Sequence, residues 1–445
     1  MNHSATMPSS LKHSLGMFDR LARHMVMRQL AGLQHGEIIL SDATGASLLG
    51  QPGDLQVSLQ VHRSQFFREA VLGGTLSVAE SYLRGDWDCD HLTQLFRIFI
   101  RNQPSMDRLN AGWATLANYA HRLFHWWRAN TRSGSRQNIA AHYDLGNDFY
   151  RLWLDETLAY SCGIFPTPHA TLAEASTEKF DRICRQLNLQ PSDDVLEIGT
   201  GWGGFALHAA QNYGCHVTTT TISQEQFQLA QQRVAAAGLS DKITLLQQDY
   251  RDLQGQYDKL VSIEMIEAVG HKYLDLYFRQ CGKLLRPAGS CMLQAIVMPE
   301  RGYEQYLQSV DFIQRYVFPG GCLPSLGSML TSVAKSSDLG FVQADDFAPH
   351  YAETLRRWRA AFHARLDEVR RLGYSDDFIR LWNYYLCYCE AAFEERSVGV
   401  LQIQFDKPAR RCDPLDLERP AHANSPPSST RSAVRFCREP SLCVQ

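Results

Sequence analysis

The chain has 445 residues, of which 44% are hydrophobic and 20% are charged, so it can bury large cores and is not disordered throughout. Its 44 basic and 47 acidic side chains give a formal net charge of −3, which argues against a nucleic-acid partner because no global basic field is present. No apolar run approaches the roughly 18 residues that a membrane span requires, and the first residues lack the continuous apolar segment of a secretory signal.

Residues 1–107 are predicted to form a small α+β domain. An amphipathic helix is expected over Met17–Leu33, and alternating apolar and polar residues predict short strands at Gly36–Leu40 and Leu55–Val61. Glycines in Gly73–Asp90 indicate turns between short elements. We interpret this domain as the part of the protein that associates with lipid or with a second copy, so a homodimer is one expected assembly.

A stretch without acidic residues follows, and it is predicted to be a linker helix over residues 108–140. Its basic and aromatic side chains are Arg108, Arg122, Arg128, Arg132 and Arg136, interleaved with Trp113, Tyr119, Phe124, Trp126 and Trp127. Such a helix suits an anionic membrane surface, where aromatic rings lie at the level of the headgroups and arginine meets phosphate. The alternative is an interdomain helix with its aromatic rings in a core and its arginines in solvent.

Strands and helices alternate from Asp193 onward, which predicts βαβ units and a parallel sheet in a domain of residues 141–407. The strands are expected within Asp193–Gly199, His216–Ile222, Lys242–Asp249, Tyr257–Met265 and Ser290–Met298. The predicted fold class is therefore α/β, with a doubly wound, Rossmann-like sheet. Residues 408–445 are rich in proline and serine without periodicity, and a disordered tail is expected there.

A glycine-rich turn after the first strand of this sheet is a candidate nucleotide site. It runs from Glu197 through Gly199, Thr200, Gly201 and Gly203, and glycines let a backbone pass close to a ligand. Its spacing differs from that of dinucleotide-binding turns. The preceding carboxylate can pair with the amino group of S-adenosylmethionine, whereas a pyrophosphate offers no cation. The alternative is a tight strand-to-helix turn without a ligand.

Residues after the next two strands complete the predicted cofactor site. Thr221, Ser223 and Gln226 stand where dinucleotide binders carry an acid, and they are expected to hold a ribose. Asp249 and Tyr250, near the end of the third strand, are placed to meet the edge and the face of an adenine. These assignments depend on the register of the βαβ units, and a shift by one residue stays open.

Several longer motifs carry a resemblance to a known family. They are AHYDLGNDFYRLWLDETLAYSCGIF (Ala141–Phe165), VLEIGTGWGGFA, TTTISQEQ, QDYRDL, SIEMIEAVGHKYL and FIQRYVFPGGCLPS, with GGTLSVAESYLRGDWD in the N-terminal domain. Over about residues 11–406 the protein resembles the cyclopropane-fatty-acyl-phospholipid synthases, which are similar to the mycolic acid cyclopropane synthases. The resemblance implies a class I methyltransferase that transfers a methylene from S-adenosylmethionine to the cis double bond of an unsaturated phospholipid acyl chain, forming a cyclopropane fatty acid.

The resemblance also implies a bound bicarbonate that acts as the base. In the family it is held by a Cys, a Glu, a Tyr, a His and a backbone contact. The first three match Cys162, Glu267 and Tyr351 of this sequence, and the backbone contact falls at Ile296. The expected His is replaced by Gln294, which can donate a hydrogen bond to an anion but cannot change its charge.

The roles of these residues have alternatives. Glu264 is a rival of Glu267 for the same role, and Glu267 itself could be a helix cap. Cys162 could be an ordinary buried thiol. Tyr351 could be a core ring with a satisfied hydroxyl.

Further positions follow from the same resemblance. Tyr160 and Ser161, in the YSC motif, are expected to contact the cofactor. Cys389 matches a family position regarded as an active-site cysteine, but we expect a packing role, because direct methyl transfer to an alkene requires no covalent intermediate. No metal is expected.

The substituted His leaves the product open. A related C-methyltransferase that acts on acyl chains, giving a methyl-branched or methylene product, is the alternative enzyme, and a non-catalytic lipid-binding protein is an alternative of another class. Expected partners are unsaturated membrane phospholipids and the membrane surface. Twelve cysteines without a regular framework indicate reduced thiols, so the expected location is the cytoplasm, with peripheral association at the inner face of the membrane.

Overall fold

The structure is a computed structural model of the protein that describes residues 16–110 and 145–411. Residues 111–140 of the predicted linker helix and residues 412–445 of the predicted tail lie outside the described residues. Within the described ranges, no helix is both long enough and apolar enough to cross a membrane.

The N-terminal domain combines helices with a four-stranded sheet. Its elements are α1 (Met17–Ala31), β1 (Gly36–Asp42), β2 (Gly45–Gln51), β3 (Gln56–Val61), α2 (Gln65–Leu72), α3 (Gly74–Leu83), β4 (Trp87–Cys89) and α4 (Leu92–Asn110). The strand order is β2-β1-β3-β4, with β1 and β3 parallel and the other neighbours antiparallel. In β3 the side chains of Val57, Leu59 and Val61 are buried and the polar ones between them are exposed, which is the alternation expected of a half-buried strand.

The second domain is built on a seven-stranded sheet. Its strands are β5 (Asp194–Ile198), β6 (His216–Thr220), β7 (Ile243–Leu246), β8 (Tyr257–Ile263), β9 (Leu285–Val297), β10 (Gly340–Asp346) and β11 (Gly399–Asp406). Its helices are α5 (Asn147–Arg151), α6 (Leu172–Gln186), α7 (Gly204–Tyr213), α8 (Gln224–Ala236), α9 (Leu274–Leu284), α10 (Tyr303–Leu307), α11 (Leu326–Ser336), α12 (Ala348–His363), α13 (Leu366–Arg371) and α14 (Asp376–Glu394).

The strand order of the large sheet is β10-β11-β9-β8-β5-β6-β7. Strands β5 to β9 are parallel to their neighbours among themselves, whereas β11 runs antiparallel to both β9 and β10. Successive residues of β5 enter different cores, because Leu196 packs with residues of α9 and Val195 packs with residues of α6 and α7. The sheet is therefore covered on both faces, which confirms the predicted doubly wound α/β class.

The strand order changes direction at β5, which pairs with β6 on one side and β8 on the other. In open α/β sheets, such a switch point leaves a crevice at the carboxyl ends of the strands, where ligands bind. The glycine-rich turn follows β5, and the motif that contains Glu264 and Glu267 follows β8. The topology thus brings the two predicted parts of the site to one edge of the sheet.

The two domains share one hydrophobic core, which includes residues of α4 and of α14. Phe96 of α4 packs edge-on against Tyr384 of α14, with 4.8 Å between the ring centroids. Arg97 and Arg101 bind the carboxylate of Glu395, at 2.7 and 2.8 Å. The N-terminal domain therefore fixes the position of α14, which in turn lines the site.

Candidate active site

A cavity of about 780 Å³ lies at the carboxyl ends of β5, β8 and β9, and this volume is typical of small-ligand sites. The predicted site residues that line it are Tyr160, Ser161, Glu197, Gly199, Thr200, Gly201, Thr221, Gln226, Asp249, Tyr250, Glu267, Ile296, Tyr351 and Cys389. The predicted residues Cys162, Gly203, Ser223 and Gln294 are not part of this lining.

Glu197 is nearly fully buried at the end of β5. Its Oε2 accepts a hydrogen bond of 2.6 Å from the hydroxyl of Thr219, and burial raises the pKa of its carboxyl group to about 8 in spite of that bond. Burying a carboxylate is unfavourable unless a donor or a cation compensates it. The position is therefore suited to a ligand that brings a positive charge, such as an amino group.

The glycine-rich turn leaves open space beside Glu197. Gly201 has a φ of +51°, and a Cβ placed on it would meet no atom within 4 Å. This backbone conformation favours glycine, and the open space belongs to the cavity. A side chain at this position would fill volume that a cofactor needs.

The predicted ribose-binding residues divide into two roles. The Thr221 hydroxyl donates to Oε1 of Gln226 at 2.9 Å, so these two side chains form one polar group on the cavity wall. The Ser223 hydroxyl accepts a hydrogen bond from the backbone N–H of Gln226 at 3.3 Å and caps α8. Ser223 thus positions the helix and does not face the cavity.

At the predicted adenine position, Asp249 forms a two-pronged ion pair with Arg251. Nε of Arg251 donates to Oδ1 at 2.8 Å, and a terminal nitrogen donates to Oδ2 at 2.6 Å. Tyr250 lies beside this pair on the cavity wall. An adenine amino group would therefore share the Asp249 carboxylate with Arg251, an arrangement that the sequence does not indicate.

The predicted anion-holding residues converge on the carboxylate of Glu264. Oε1 accepts hydrogen bonds from the backbone N–H of Cys162 at 2.9 Å and from Nε2 of Gln294 at 2.7 Å. Oε2 accepts a hydrogen bond from the hydroxyl of Tyr351 at 2.7 Å. Glu264 also lines the cavity. The residue that the sequence presents only as a rival of Glu267 is thus at the centre of the donor set.

Glu267 is placed differently. Its Oε1 accepts a hydrogen bond of 2.6 Å from the backbone N–H of Ile296, and its buried Oε2 has no hydrogen-bond partner within the described residues. Burial, together with the nearby charge of Glu264, raises the pKa of the Glu267 carboxyl group to about 8. Glu267 is therefore mainly protonated at neutral pH.

The orientation of the Gln294 side-chain amide is fixed by a hydrogen bond from the neighbouring strand. Its Oε1 accepts a hydrogen bond of 3.1 Å from Nε2 of Gln402, so its own amide nitrogen must face Glu264. Gln402, on β11, is not among the site residues predicted from the sequence. No sequence signal marks it, because its role depends on the pairing of β11 with β9.

The thiols near the site are not activated. Cys162 is fully buried, and its Sγ donates to the carbonyl oxygen of Gly163 at 3.2 Å. Burial raises the pKa of both the Cys162 and the Cys389 thiols. A reactive cysteine has a lowered pKa, so these thiols do not act as nucleophiles. Cys162 contributes its backbone N–H, and Cys389 contributes packing at the cavity wall.

Lys179 is a buried cation that sequence reasoning missed. Its side chain is fully buried, and Nζ donates to the hydroxyl of Ser161 at 2.5 Å. Lys179 lies on α6 between Ala175 and Ile183, both of which are buried. The signal available in the sequence was a lysine at a position where the spacing of the apolar face of α6 predicts an apolar residue. Burial raises the pKa of the Glu264 carboxyl group, and the positive charge of Lys179 opposes that rise.

Aromatic rings form the wall opposite the cofactor turn. The hydroxyls of Tyr160 and Tyr385 are 2.9 Å apart, and Tyr351 stacks on Phe393 with 4.3 Å between the ring centroids. All four residues line the cavity, as does Phe318, whose ring contacts those of Tyr160 and Tyr385. Aromatic faces attract positive charge in a site that excludes water. The wall can therefore hold an apolar chain and stabilise a cation that develops on it.

The protein is similar to known proteins over most of its length. It is 38% identical to the tuberculostearic acid methyltransferase of Mycobacterium tuberculosis, over 86% of this chain and 88% of that protein. It is 37% identical to the cyclopropane-fatty-acyl-phospholipid synthase of Escherichia coli strain K12, over 80% of this chain and 89% of that protein. The crystal structure of a mycolic acid cyclopropane synthase complexed with SAH and CTAB superimposes with a TM-score of 0.57 and 32% identity, covering 61% of this chain and 98% of that one.

The seven-stranded sheet with its antiparallel β10–β11 pair, and the cavity at its switch point, define a class I, S-adenosylmethionine-dependent methyltransferase. The sequence profile of the family described as mycolic acid cyclopropane synthetase matches residues 130–403. The chain belongs to this family, as the motifs predicted.

Proposed function

We propose that this protein transfers a methylene group from S-adenosylmethionine to the cis double bond of an unsaturated phospholipid acyl chain and forms a cyclopropane fatty acid. The observation that carries the proposal is one cavity that holds a buried acid beside a glycine turn, an aromatic wall and a second cluster of carboxyl groups. The E. coli relative that bears the name of this activity matches both domains.

The residues at the end of β5 fit S-adenosylmethionine. Glu197 would pair with its amino group, the Thr221–Gln226 pair would bond its ribose, and Tyr250 would cover its adenine. When bound, this cofactor supplies an electrophilic methyl group on a sulfonium. Of the predicted contacts, the Ser161 hydroxyl oxygen accepts a hydrogen bond from Lys179, which leaves its O–H as a donor for the cofactor.

The protein's own task is to position the alkene and protect the cation that methyl transfer creates. An alkene is a weak nucleophile, so alignment against the methyl group supplies much of the rate. The rings of Tyr160, Phe318 and Tyr385 exclude water from that region and offer their faces to the cationic carbon. A base must then remove a proton so that the ring can close.

Bicarbonate, which the resemblance implies as that base, does not fit the donor set of this site. The backbone N–H of Cys162, the amide of Gln294 and the hydroxyl of Tyr351 already donate to the carboxylate of Glu264. A bicarbonate bound there would place a second negative charge against Glu264. The remaining donor, the backbone N–H of Ile296, is bonded to Glu267.

The methyl-branched or methylene product stays the alternative outcome. The M. tuberculosis relative is named for tuberculostearic acid, and Gln294 gives this protein an uncharged donor where the resemblance implies a His. A saturated methyl branch requires a reductant, whereas ring closure and methylene formation do not. Ring closure and methylene formation both need a base, so the cyclopropane product is favoured by the similarity to the E. coli synthase.

The membrane surface is proposed as the docking partner. Helix α1 exposes an apolar face formed by Met17, Phe18, Leu21 and Met25, in which neighbouring residues follow the i, i+3 and i, i+4 spacings of one helix side. A substrate inside a bilayer requires the enzyme to approach it, and α1 also carries Arg28, an exposed residue that suits anionic headgroups. Peripheral association at the inner membrane face, a cytoplasmic location and a homodimer stay predictions.

Product analysis tests the proposed function. The purified protein is incubated with vesicles of a cis-unsaturated phospholipid and S-adenosylmethionine labelled in its methyl carbon. We expect one labelled carbon per converted double bond, loss of the olefinic protons and appearance of cyclopropane protons in the NMR spectrum. Vinylidene protons would identify the methylene alternative. Unchanged lipid, with the cofactor shown to bind by calorimetry, would contradict catalysis on this substrate.

A further inference from the structure

Resting on the proposed function, we propose that Glu264 is the general base of the reaction, so that the protein supplies from its own residues the group for which the resemblance implies bicarbonate. The carboxylate already accepts the hydrogen bonds of the predicted anion-holding donors. It lies on the wall of the cavity that holds the cofactor turn and the aromatic residues. A base in this position needs no diffusible ion.

The backbone of Glu264 supports this role independently. Its φ is +48°, in the left-handed region that favours glycine and is unfavourable for a glutamate. The conformation is held by the hydrogen bond from the Glu264 N–H to the carbonyl oxygen of Gln294, at 2.7 Å. Non-glycine residues in this region gather at functional sites. Here the conformation turns the side chain back onto the donors of β9 and α12.

The two carboxyl groups of this motif are set up for different protonation states. Burial raises the pKa of the Glu264 carboxyl group as well, but three hydrogen bonds and the nearby Lys179 oppose that rise and stabilise its carboxylate. Glu267 receives one backbone hydrogen bond, and burial beside Glu264 keeps it protonated. Neighbouring carboxyl groups whose pKa values are separated in this way take separate acid and base roles.

The step balances without a further reactant. The π electrons of the alkene form a bond to the methyl carbon while the methyl–sulfur bond breaks and its electron pair stays on sulfur, leaving a cationic carbon on the lipid. Oε2 of Glu264, to which Tyr351 donates, takes a proton from the new methyl group. The electron pair of that C–H bond forms the second ring bond to the cationic carbon. The neutral Glu264 afterwards returns its proton to solvent.

Bicarbonate depletion combined with isosteric variants tests the proposal. Turnover on unsaturated phospholipid vesicles is measured in degassed, bicarbonate-free buffer and after bicarbonate is restored. The wild type should change less than twofold. Glu264→Gln should lose about 10²–10⁴-fold in turnover while its affinity for S-adenosylmethionine and its melting temperature stay close to those of the wild type. Glu267→Gln should lose at least tenfold less than Glu264→Gln. Glu304→Gln, at an exposed glutamate outside the cavity lining, serves as the carboxylate control.

Glu264→Gly adds a rescue experiment. Glycine suits the left-handed backbone, and loss of the side chain frees the donors of Cys162, Gln294 and Tyr351. Added bicarbonate or formate should therefore restore part of its turnover, whereas neither should act on the wild type or on Glu304→Gln. Rescue separates a missing base from a damaged scaffold.

Several results would overturn the proposal. These are loss of wild-type turnover on bicarbonate removal, turnover of Glu264→Gln within tenfold of wild type, or a loss of cofactor affinity in Glu264→Gln that matches its loss of rate. Absence of any lipid product from the wild type, with the cofactor bound, would instead contradict the proposed function, so the two failures are distinguishable.

Discussion

Three glutamate side chains line the cavity within the described residues, and each has a different set of hydrogen-bond donors. Glu197 has the hydroxyl of Thr219, Glu267 has the backbone N–H of Ile296, and Glu264 has a backbone N–H, an amide and a phenol. Donors to a carboxylate favour its ionised form, and loss of water favours the neutral form. The residue best supplied with donors is therefore the one suited to accept a proton during catalysis.

We expect the turnover number to fall as the pH is lowered through the pKa of Glu264, because a general base acts only when it is deprotonated. Burial raises this pKa above the ordinary value for glutamate, against the opposing charge of Lys179 and the donated hydrogen bonds. The decline should therefore begin at a higher pH than that at which an exposed glutamate titrates. The measurement is kcat at saturating cofactor between about pH 5 and 9. A flat profile would contradict the assignment of a carboxylate base.

Binding of S-adenosylmethionine should release a proton from Glu197. The pKa of this carboxyl group is about 8 without a ligand, so at pH 7 the free protein carries the proton, and a cationic amino group would displace it. Affinity should therefore weaken as the pH falls below 8. Calorimetry at neutral pH in buffers of different ionisation enthalpy should report close to one proton released. Glu197→Gln should release none and bind roughly 10–100-fold more weakly, as expected for loss of a charged hydrogen bond.

The sequence indicates the glycine-rich turn more directly than it indicates the proposed base. The turn from Glu197 to Gly203 follows directly from a strand that ends and a helix that begins, so local pattern suffices. The choice between Glu264 and Glu267 depends on a left-handed backbone at Glu264 and on donors from β9 and α12. Those are tertiary contacts. Glu264 and Glu267 are three residues apart in one motif, and nothing in the local sequence shows which of the two receives these hydrogen bonds.

At the scale of elements, the strands of the large sheet were predicted more completely than the helices packed against it. Strands β5 to β9 follow the strand and helix pattern, whereas the β10–β11 pair and helices α12 to α14 were not predicted as elements. Their residues reach the site from far along the sequence, as Gln402 does through β11 and Tyr385 through α14. Periodicity marks an element but does not state which edge of a sheet it joins.

Among the described elements, helix α1 is the one that we predict to contact the membrane. The double variant Phe18→Asp, Leu21→Asp should reduce co-sedimentation with anionic phospholipid vesicles, because it places charge on highly exposed apolar positions of the helix. Turnover on vesicles should fall with it, while cofactor binding stays unchanged. Leu372→Asp, an exposed leucine of the second domain, is the matched control. Equal co-sedimentation of the double variant and the control would contradict membrane binding by α1 and identify it as an ordinary surface helix.

At the scale of the whole molecule, the N-terminal domain and the helical cover of the cavity are one packed unit. Phe96 contacts Tyr384 and Tyr388, and Tyr388 lines the cavity. Arg380 donates to the carbonyl oxygens of Tyr82 and Trp87, at 2.6 and 2.9 Å. The domain boundary predicted at residue 107 stays a prediction; the residue lies within α4 (Leu92–Asn110), and the core is continuous between α4 and α14.

This shared core predicts a single unfolding transition and a long-range effect of Phe96. Phe96→Ala removes a nearly fully buried ring between α4 and α14, and it should lower the free energy of unfolding by about 3–5 kcal/mol. Helix α14 carries Tyr385 of the aromatic wall but reaches the turn after β5 only indirectly, through the contacts of Trp382 with Tyr150 and of Tyr150 with Trp202. The variant should therefore lose more turnover on lipid than affinity for S-adenosylmethionine. Urea unfolding followed by tryptophan fluorescence and by circular dichroism gives the stability, with Phe341→Ala, a half-exposed ring on β10, as the control. Two separate transitions in the wild type would show that the domains unfold independently and that the contacts of α4 do not hold the cavity wall in place.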